Sequence, residues 1–371
     1  MIKFDCNSDS LGISNAATPQ PLDMEIDTNN QEVLLINTRN FPCVEDCNSQ
    51  GGGKPRDFLE ILKQNDDLRS SGVPKFRVVQ LEVLKHSAGQ NHNDWISLAN
   101  LIQANYHTCR GFVVVNGTDN MVSTSTALSF MLENLGKPVV FTGSRIPPER
   151  LYTDLWRNLI VALLFANCSQ LNEVCILFDE QLFRANRSIK VSRSTLTPFD
   201  SPHFPPLASM HGAIHLHKPF LRLHPRGQFR VMDKMQSVVL TLKLGPSLRQ
   251  EVLQKAVELT KARAVVIIAY GDGNGPSRDG YMSNIVKKSV ERGILVVVCT
   301  QNLYGSVNLG AYEVGEELLK AGAVSAHDMT IEATIMKLKY LLGVGLSTND
   351  VKKFFSNVNL RGELTLQKQN L

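Results

Sequence analysis

The sequence predicts an α/β fold: a doubly wound, mostly parallel sheet in a larger N-terminal domain, followed by a second, smaller α/β domain. Three observations predict it. Short unbroken apolar runs recur, such as Phe112–Val115 and Val174–Phe178, and runs of that kind suit strands buried on both faces of a parallel sheet. Segments of helical period lie between them, so strands and helices alternate. The chain has 371 residues, more than one hydrophobic core usually holds, so two domains are expected.

Composition narrows the class. The formal net charge is +4 with no dense basic run, which gives nucleic-acid binding little support. No apolar stretch reaches the length that spans a membrane. Seven cysteines are scattered and odd in number, a pattern that suits a reducing, cytoplasmic setting better than a disulfide framework. Cys43 and Cys47 stand in C-V-E-D-C, but no His or further Cys lies close by to complete a metal site.

Residues 1–30 are rich in Asn, Asp and Ser and read as a disordered leader without the apolar core of a signal peptide. The N-terminal domain is expected over 31–215. Glu32–Ile36 begins it as a buried strand, ending in Asn37-Thr38-Arg39-Asn40-Phe41-Pro42. Phe58–Leu62 starts a short helix, Phe76–Leu84 is a strand candidate, and Trp95–Tyr106 is an amphipathic helix. The central stretch is Gly111–Met121, read G-F-V-V-V-N-G-T-D-N-M. Its strand stops at the Asn116-Gly117 turn signal. Helical spacing follows through Ala127, Leu128, Phe130, Met131 and Leu135, with Gly136 as the expected stop and Pro138 behind it. Thr118 and Asp119 therefore stand at the carboxyl end of a strand, the edge where open α/β sheets bind ligands. Both residue types are also favoured helix caps.

Further strands are expected at Val139–Thr142 and Val174–Phe178. The basic, proline-containing stretch 216–236 reads as a linker, and 237–364 as the C-terminal domain. There Ser237–Leu244, Ala264–Ala269 and Ile294–Thr300 are strands, Leu248–Lys261 is a helix, and Thr330 or Asp328 caps a helix through Leu338. Gly271, Gly273 and Gly275 lack the G-x-G-x-x-G spacing of a nucleotide loop.

The central stretch, with A-L-S-F-M-L-E-N-L-G-K-P-V-V-F-T-G-S after it, resembles the second signature of the bacterial-type L-asparaginases, most nearly their cytosolic branch. F-R-A-N-R-S-I-K-V and F-D-S-P…P-P-L-A resemble further motifs of that family. The resemblance implies hydrolysis of L-asparagine or a related amino acid without a cofactor, in a homodimer or homotetramer. It assigns Thr118, Asp119 and Lys190 to catalysis, Ser87 to the substrate's α-carboxylate, and Asn274 to the site of a neighbouring subunit. The family's first strand ends in T-G-G-T-I, whose second threonine is the nucleophile. Aligned on Thr38, that position is Phe41 here, and both glycine positions carry side chains, Arg39 and Asn40. Arg145 stands where the family usually has Gln. Hydrolysis is therefore expected to be impaired or absent. Two alternatives stand beside this: a working enzyme with Thr118 as nucleophile, and a non-catalytic structural or amino-acid-binding subunit.

Overall fold

The computed structural model describes residues 31–38, 57–81, 89–235, 237–276 and 280–366. The leader, the Cys43–Cys47 stretch, Phe41 and Ser87 lie outside the described residues. In order, the chain forms β1 (Glu32–Asn37), α1 (Phe58–Leu62), β2 (Phe76–Gln80), α2 (His92–Asn105), β3 (Cys109–Val115), α3 (Met121–Met131), β4 (Leu132–Glu133), β5 (Val139–Thr142), α4 (Leu155–Ala166), β6 (Val174–Phe178), β7 (Gln181–Arg184), β8 (Ile189–Lys190), β9 (Phe199–Asp200), β10 (Ala208–Met210) and β11 (Ile214–Leu216). After β12 (Arg230–Val231) come β13 (Val239–Lys243), α5 (Gln250–Leu259), β14 (Ala264–Ala269), α6 (Tyr281–Glu291), β15 (Leu295–Thr300), α7 (Glu313–Lys320), β16 (Val324–Ser325), α8 (Ile331–Gly343) and α9 (Thr348–Asn357).

The large sheet has the order β11-β10-β7-β6-β5-β3-β1-β2. From β2 to β6 every pairing is parallel, and from β6 to β11 every pairing is antiparallel. The four apolar runs that predicted one mostly parallel sheet, β1, β3, β5 and β6, lie side by side at its centre. Their side chains are almost wholly buried because helices cover both faces. The smaller sheet, β13-β14-β15-β16, is parallel throughout. One apolar cluster runs from β3 and α3 into α8 and α9, and the rings of Phe130 and Tyr340 meet within it, 6.0 Å apart.

Two glycines are needed for close approach. A Cβ on Gly111 would stand 1.9 Å from the Ala166 carbonyl oxygen, so β3 can pass the end of α4 only without a side chain there. A Cβ on Gly143 would stand 2.5 Å from the Asn116 carbonyl oxygen. The exits of β5 and β3 thus touch backbone to backbone, which sets the loops that follow them against each other.

One expectation needs correcting. The helix after the central strand ends at Met131 and does not continue to Gly136. Leu132 leaves helical dihedrals, and Leu132–Glu133 pairs antiparallel with Arg230–Val231, with Asn134 taking a positive φ of 53°. Glu133 then pairs with Arg230 and accepts from Tyr340. Partners far along the chain therefore override local helical spacing. Thr330 caps α8, its side chain accepting from the Ala333 amide as expected.

Candidate active site

The turn between β3 and α3 is Asn116–Asn120. Neither Thr118 nor Asp119 caps the helix; Asn120 holds the cap position, without a side-chain hydrogen bond. Thr118 is buried, while Asp119 opens to solvent. This disposes of the capping alternative and leaves both side chains available for another use.

Lys190 reaches them from another part of the chain. Its ammonium donates to Thr118 Oγ1 over 3.1 Å and to Asp119 Oδ1 over 2.6 Å. The strand that carries it, β8, pairs antiparallel with β9. The turn before β8 is anchored on both sides. Thr126 donates to the Ala185 carbonyl. Arg187, fully buried, donates to Asp328 over 2.8 Å, to the Gly362 carbonyl over 2.7 Å and to Thr365 Oγ1 over 3.1 Å. A guanidinium at that depth must be fully paired to be tolerated, so the C-terminal segment 362–365 holds the turn that delivers Lys190.

Arg145 completes the cluster. Its Nη1 donates to Thr118 Oγ1 over 3.2 Å. The loop after β5 is pinned by the Asp154 carboxylate, which accepts from the backbone N–H groups of Arg145 (2.9 and 3.0 Å) and Ile146 (2.9 Å). Asn158 ties the same carboxylate to the Gly143 carbonyl. Thr118 Oγ1 thus accepts from two cationic side chains. The hydrogen bond from Lys190, aided by the charges of Lys190, Arg145 and Arg193, holds the Asp119 carboxyl below the usual aspartate value against the opposing effect of partial burial.

A second polar cluster lies beside it, at the exit of β1. Thr38 Oγ1, buried, lies 2.6 Å from Asn116 Oδ1 and 3.0 Å from the Val115 carbonyl. Gln90 donates to Asn116 Oδ1 over 2.7 Å and accepts from Thr124, which also accepts from the Trp95 indole N–H. Asn116 Nδ2 is buried without a hydrogen-bond partner. Thr38 is the residue on which the first signature was aligned, so the structure brings the start of that motif next to the Asn116–Asp119 turn.

Of the residues predicted from sequence, Thr118, Asp119 and Lys190 converge. Ser87 and Phe41 lie outside the described residues. Asn274 sits in the turn after β14, its backbone exchanging hydrogen bonds of 2.8 Å with Tyr270. Among the described residues, no hydrogen bond or ion pair joins it to Thr118, Asp119 or Lys190. Sequence reasoning missed the contact from Arg145 and the Gln90–Asn116–Thr38 network. Only the replacement of the family's Gln marked Arg145 out.

The described residues hold no group of three or more His, Cys, Asp or Glu side chains placed to bind a metal, and none of their helices is long and apolar enough to cross a membrane.

Comparison with known proteins agrees with this fold. The family profile for the asparaginase N-terminal domain matches residues 47–222, and that for the glutaminase/asparaginase C-terminal domain matches 238–355. The chain is 37% identical to L-asparaginase 1 of Escherichia coli K12 over 295 residues, which is 79% of this chain and 86% of that protein. It is 36% identical to the 60 kDa lysophospholipase of Mus musculus over 320 residues, 86% of this chain and 55% of that protein. The crystal structure of L-asparaginase I from Vibrio cholerae superimposes with a TM-score of 0.81 at 34% identity, covering 91% of this chain and all of that one. With both domain profiles matched in order over one fold, the chain belongs to the asparaginase family.

Proposed function

We propose that this protein is an asparaginase-type amidohydrolase with a weakened catalytic centre: it takes L-asparagine or a related amino acid at Thr118, Asp119 and Lys190, and releases ammonia far more slowly than an intact enzyme. The observation that carries it is the reach of Lys190 to both Thr118 and Asp119 from a different part of the chain. Amide hydrolysis through an acyl-enzyme needs a nucleophile, a base, donors for the oxyanion and grips for the substrate. Thr118 and Lys190 offer an activated hydroxyl and Asp119 a counter-charge. Position 41, where the family's attacking threonine falls, is Phe41. A phenyl ring has neither hydroxyl nor lone pair, and losing a nucleophile typically lowers the rate by several orders of magnitude. Ser87 remains the sequence match for the α-carboxylate grip. Asn274, with no bond to this cluster among the described residues, suits a role in the site of a second copy, hence a homodimer or a dimer of dimers.

One observation favours a second reading. Thr118 Oγ1 accepts from both Lys190 and Arg145, and two cationic donors stabilise an alkoxide on that oxygen. Thr118 would then attack the carboxamide carbon, its proton passing to the amide nitrogen as that nitrogen departs. Ammonia would leave, and water would cleave the resulting ester to return Thr118 and aspartate. Steady-state ammonia release from L-asparagine separates the two readings. A rate well under about 1 per second that Thr118→Ala lowers further fits the weakened centre; turnover at about 1 per second or more that Thr118→Ala abolishes assigns the attack to Thr118.

A further inference from the structure

The charges around Thr118 do not suit a carboxamide. Lys190 and Arg145 both direct N–H donors at one hydroxyl oxygen. Arg193, exposed on the segment after β8, is close enough to act on Asp119 as well. Against these three cations stand two carboxylates: Asp119, already bound by Lys190, and Asp154, taken up by the backbone amides of Arg145 and Ile146 and by Asn158. The Arg145 guanidinium makes a single hydrogen bond, to Thr118, and no ion pair among the described residues. Its Nε–H is buried with no partner, and an unused buried donor of a charged group is costly. The loop that carries it is held by the bonds from Asp154 to two backbone amides, so its placement is fixed before any ligand arrives. Beside this, Asn116 Nδ2 is a second buried donor without a partner.

A carboxamide needs acceptors for its two N–H groups as well as donors for its oxygen, whereas a carboxylate only accepts. The surplus here is of donors and of positive charge, and a guanidinium with a free edge matches a carboxylate in bidentate fashion. We infer that the site of this protein takes a dicarboxylic amino acid, of the aspartate or glutamate class, with Arg145 receiving the side-chain carboxylate beside Thr118. This rests on the reading of Thr118, Asp119 and Lys190 as an amino-acid site and names which amino acid occupies it. Asp119 is the acceptor left for the α-ammonium group. Arg145 is then the specificity-determining residue: a neutral Gln there would let donors and acceptors balance for an amide, and arginine tips the balance to an acid. A chain with slow hydrolysis and a preference for the acid would act by holding it.

Titration calorimetry on the full chain, with L-aspartate and L-asparagine as separate probes, tests this without relying on turnover. The expected result is L-aspartate binding at least about tenfold more tightly than L-asparagine. In Arg145→Gln, L-aspartate affinity falls by about tenfold or more while that for L-asparagine moves by less than about threefold. Equal affinities in the unaltered chain overturn the inference, as does an Arg145→Gln variant that weakens both ligands alike. The unaltered chain alone gives the affinity ratio, so a folding defect in the variant does not obscure it. Tight L-asparagine with weak L-aspartate removes the inference and leaves the amino-acid site standing. No heat from either ligand up to about 10 mM, where a site of ~1 mM affinity would be nearly filled, removes both.

Discussion

Lys190 Nζ lies 3.1 Å from Thr118 Oγ1 across 72 residues of sequence. Nothing local brings them together. Thr118 is placed by β3 and its turn, and Lys190 by a turn that Arg187 fastens to Asp328 and the C-terminal segment. The site therefore depends on packing between the two domains.

The same contact sets the state of Asp119. Because the Lys190 hydrogen bond lowers its folded value, the link is complete above the unfolded aspartate value of about 3.9. It is lost as pH falls through the depressed folded value. Carboxyl NMR titration should find Asp119 below the ordinary range in the unaltered chain. Lys190→Met should move it upward. An unchanged Asp119 in that variant would mean the Lys190 bond is absent in solution.

Lys337 and Glu363 form an ion pair of 2.6 Å with both side chains fully buried. Burial pushes the Glu363 carboxyl upward, but Lys337 and the amides of Leu360 and Arg361 together hold it below its usual value. Removing one partner strands a charge, so Lys337→Met should lower stability to urea by about 3–5 kcal/mol. Lys337→Met combined with Glu363→Gln, which keeps an acceptor for the amides of Leu360 and Arg361, should recover much of that loss. A single variant within about 0.5 kcal/mol of the original chain would show that the pair is solvated.

Acid should loosen the C-terminal segment. Asp328 follows the same pattern as Glu363: burial raises its value, and Arg187 with Thr365 lowers it further than burial lifts it. Groups with depressed folded values contribute stability above their unfolded values, and it is lost as pH falls through the folded ones. Hydrogen exchange should therefore show the amides of 360–365 losing protection below about pH 4, near the unfolded values of both groups. Protection that persists unchanged to pH 2 would contradict these shifts.

The sheet was legible where a strand is buried on both faces, because Phe112–Val115 and Val174–Phe178 carry their burial as unbroken apolar runs. The strand–turn–helix pattern put Thr118 and Asp119 at a ligand-binding edge, but their partnership with Lys190 was legible only through family resemblance, since a hydroxyl, a carboxylate and an amine have no spacing of their own. The early end of α3 was hidden because its cause, Arg230, lies 97 residues from Glu133. Arg145 was visible as a departure, but its aim at Thr118 follows from the Gly143–Asn116 contact and the Asp154 clasp, which only the fold supplies.

Four described cysteines, Cys109, Cys168, Cys175 and Cys299, are free and buried. Burial pushes the Cys175 thiol well above its usual value and that of Cys299 up to about 12. Thiolate is the reactive form, so site-resolved alkylation at pH 8 should leave these two unlabelled in the native chain and label them in urea. Native labelling at a rate like that of an exposed thiol would show that the core opens readily.

The central claim is a family site whose loss of hydrolysis comes chiefly from the end of the first strand. Ammonia release from L-asparagine, measured on the unaltered chain and on one with Arg39-Asn40-Phe41 rebuilt as Gly-Gly-Thr, tests it most directly. We predict turnover well under about 1 per second in the unaltered chain and a rise of at least about tenfold in the rebuilt one. Turnover of about 1 per second or more before rebuilding, or a rebuilt chain no faster than the original, would contradict it.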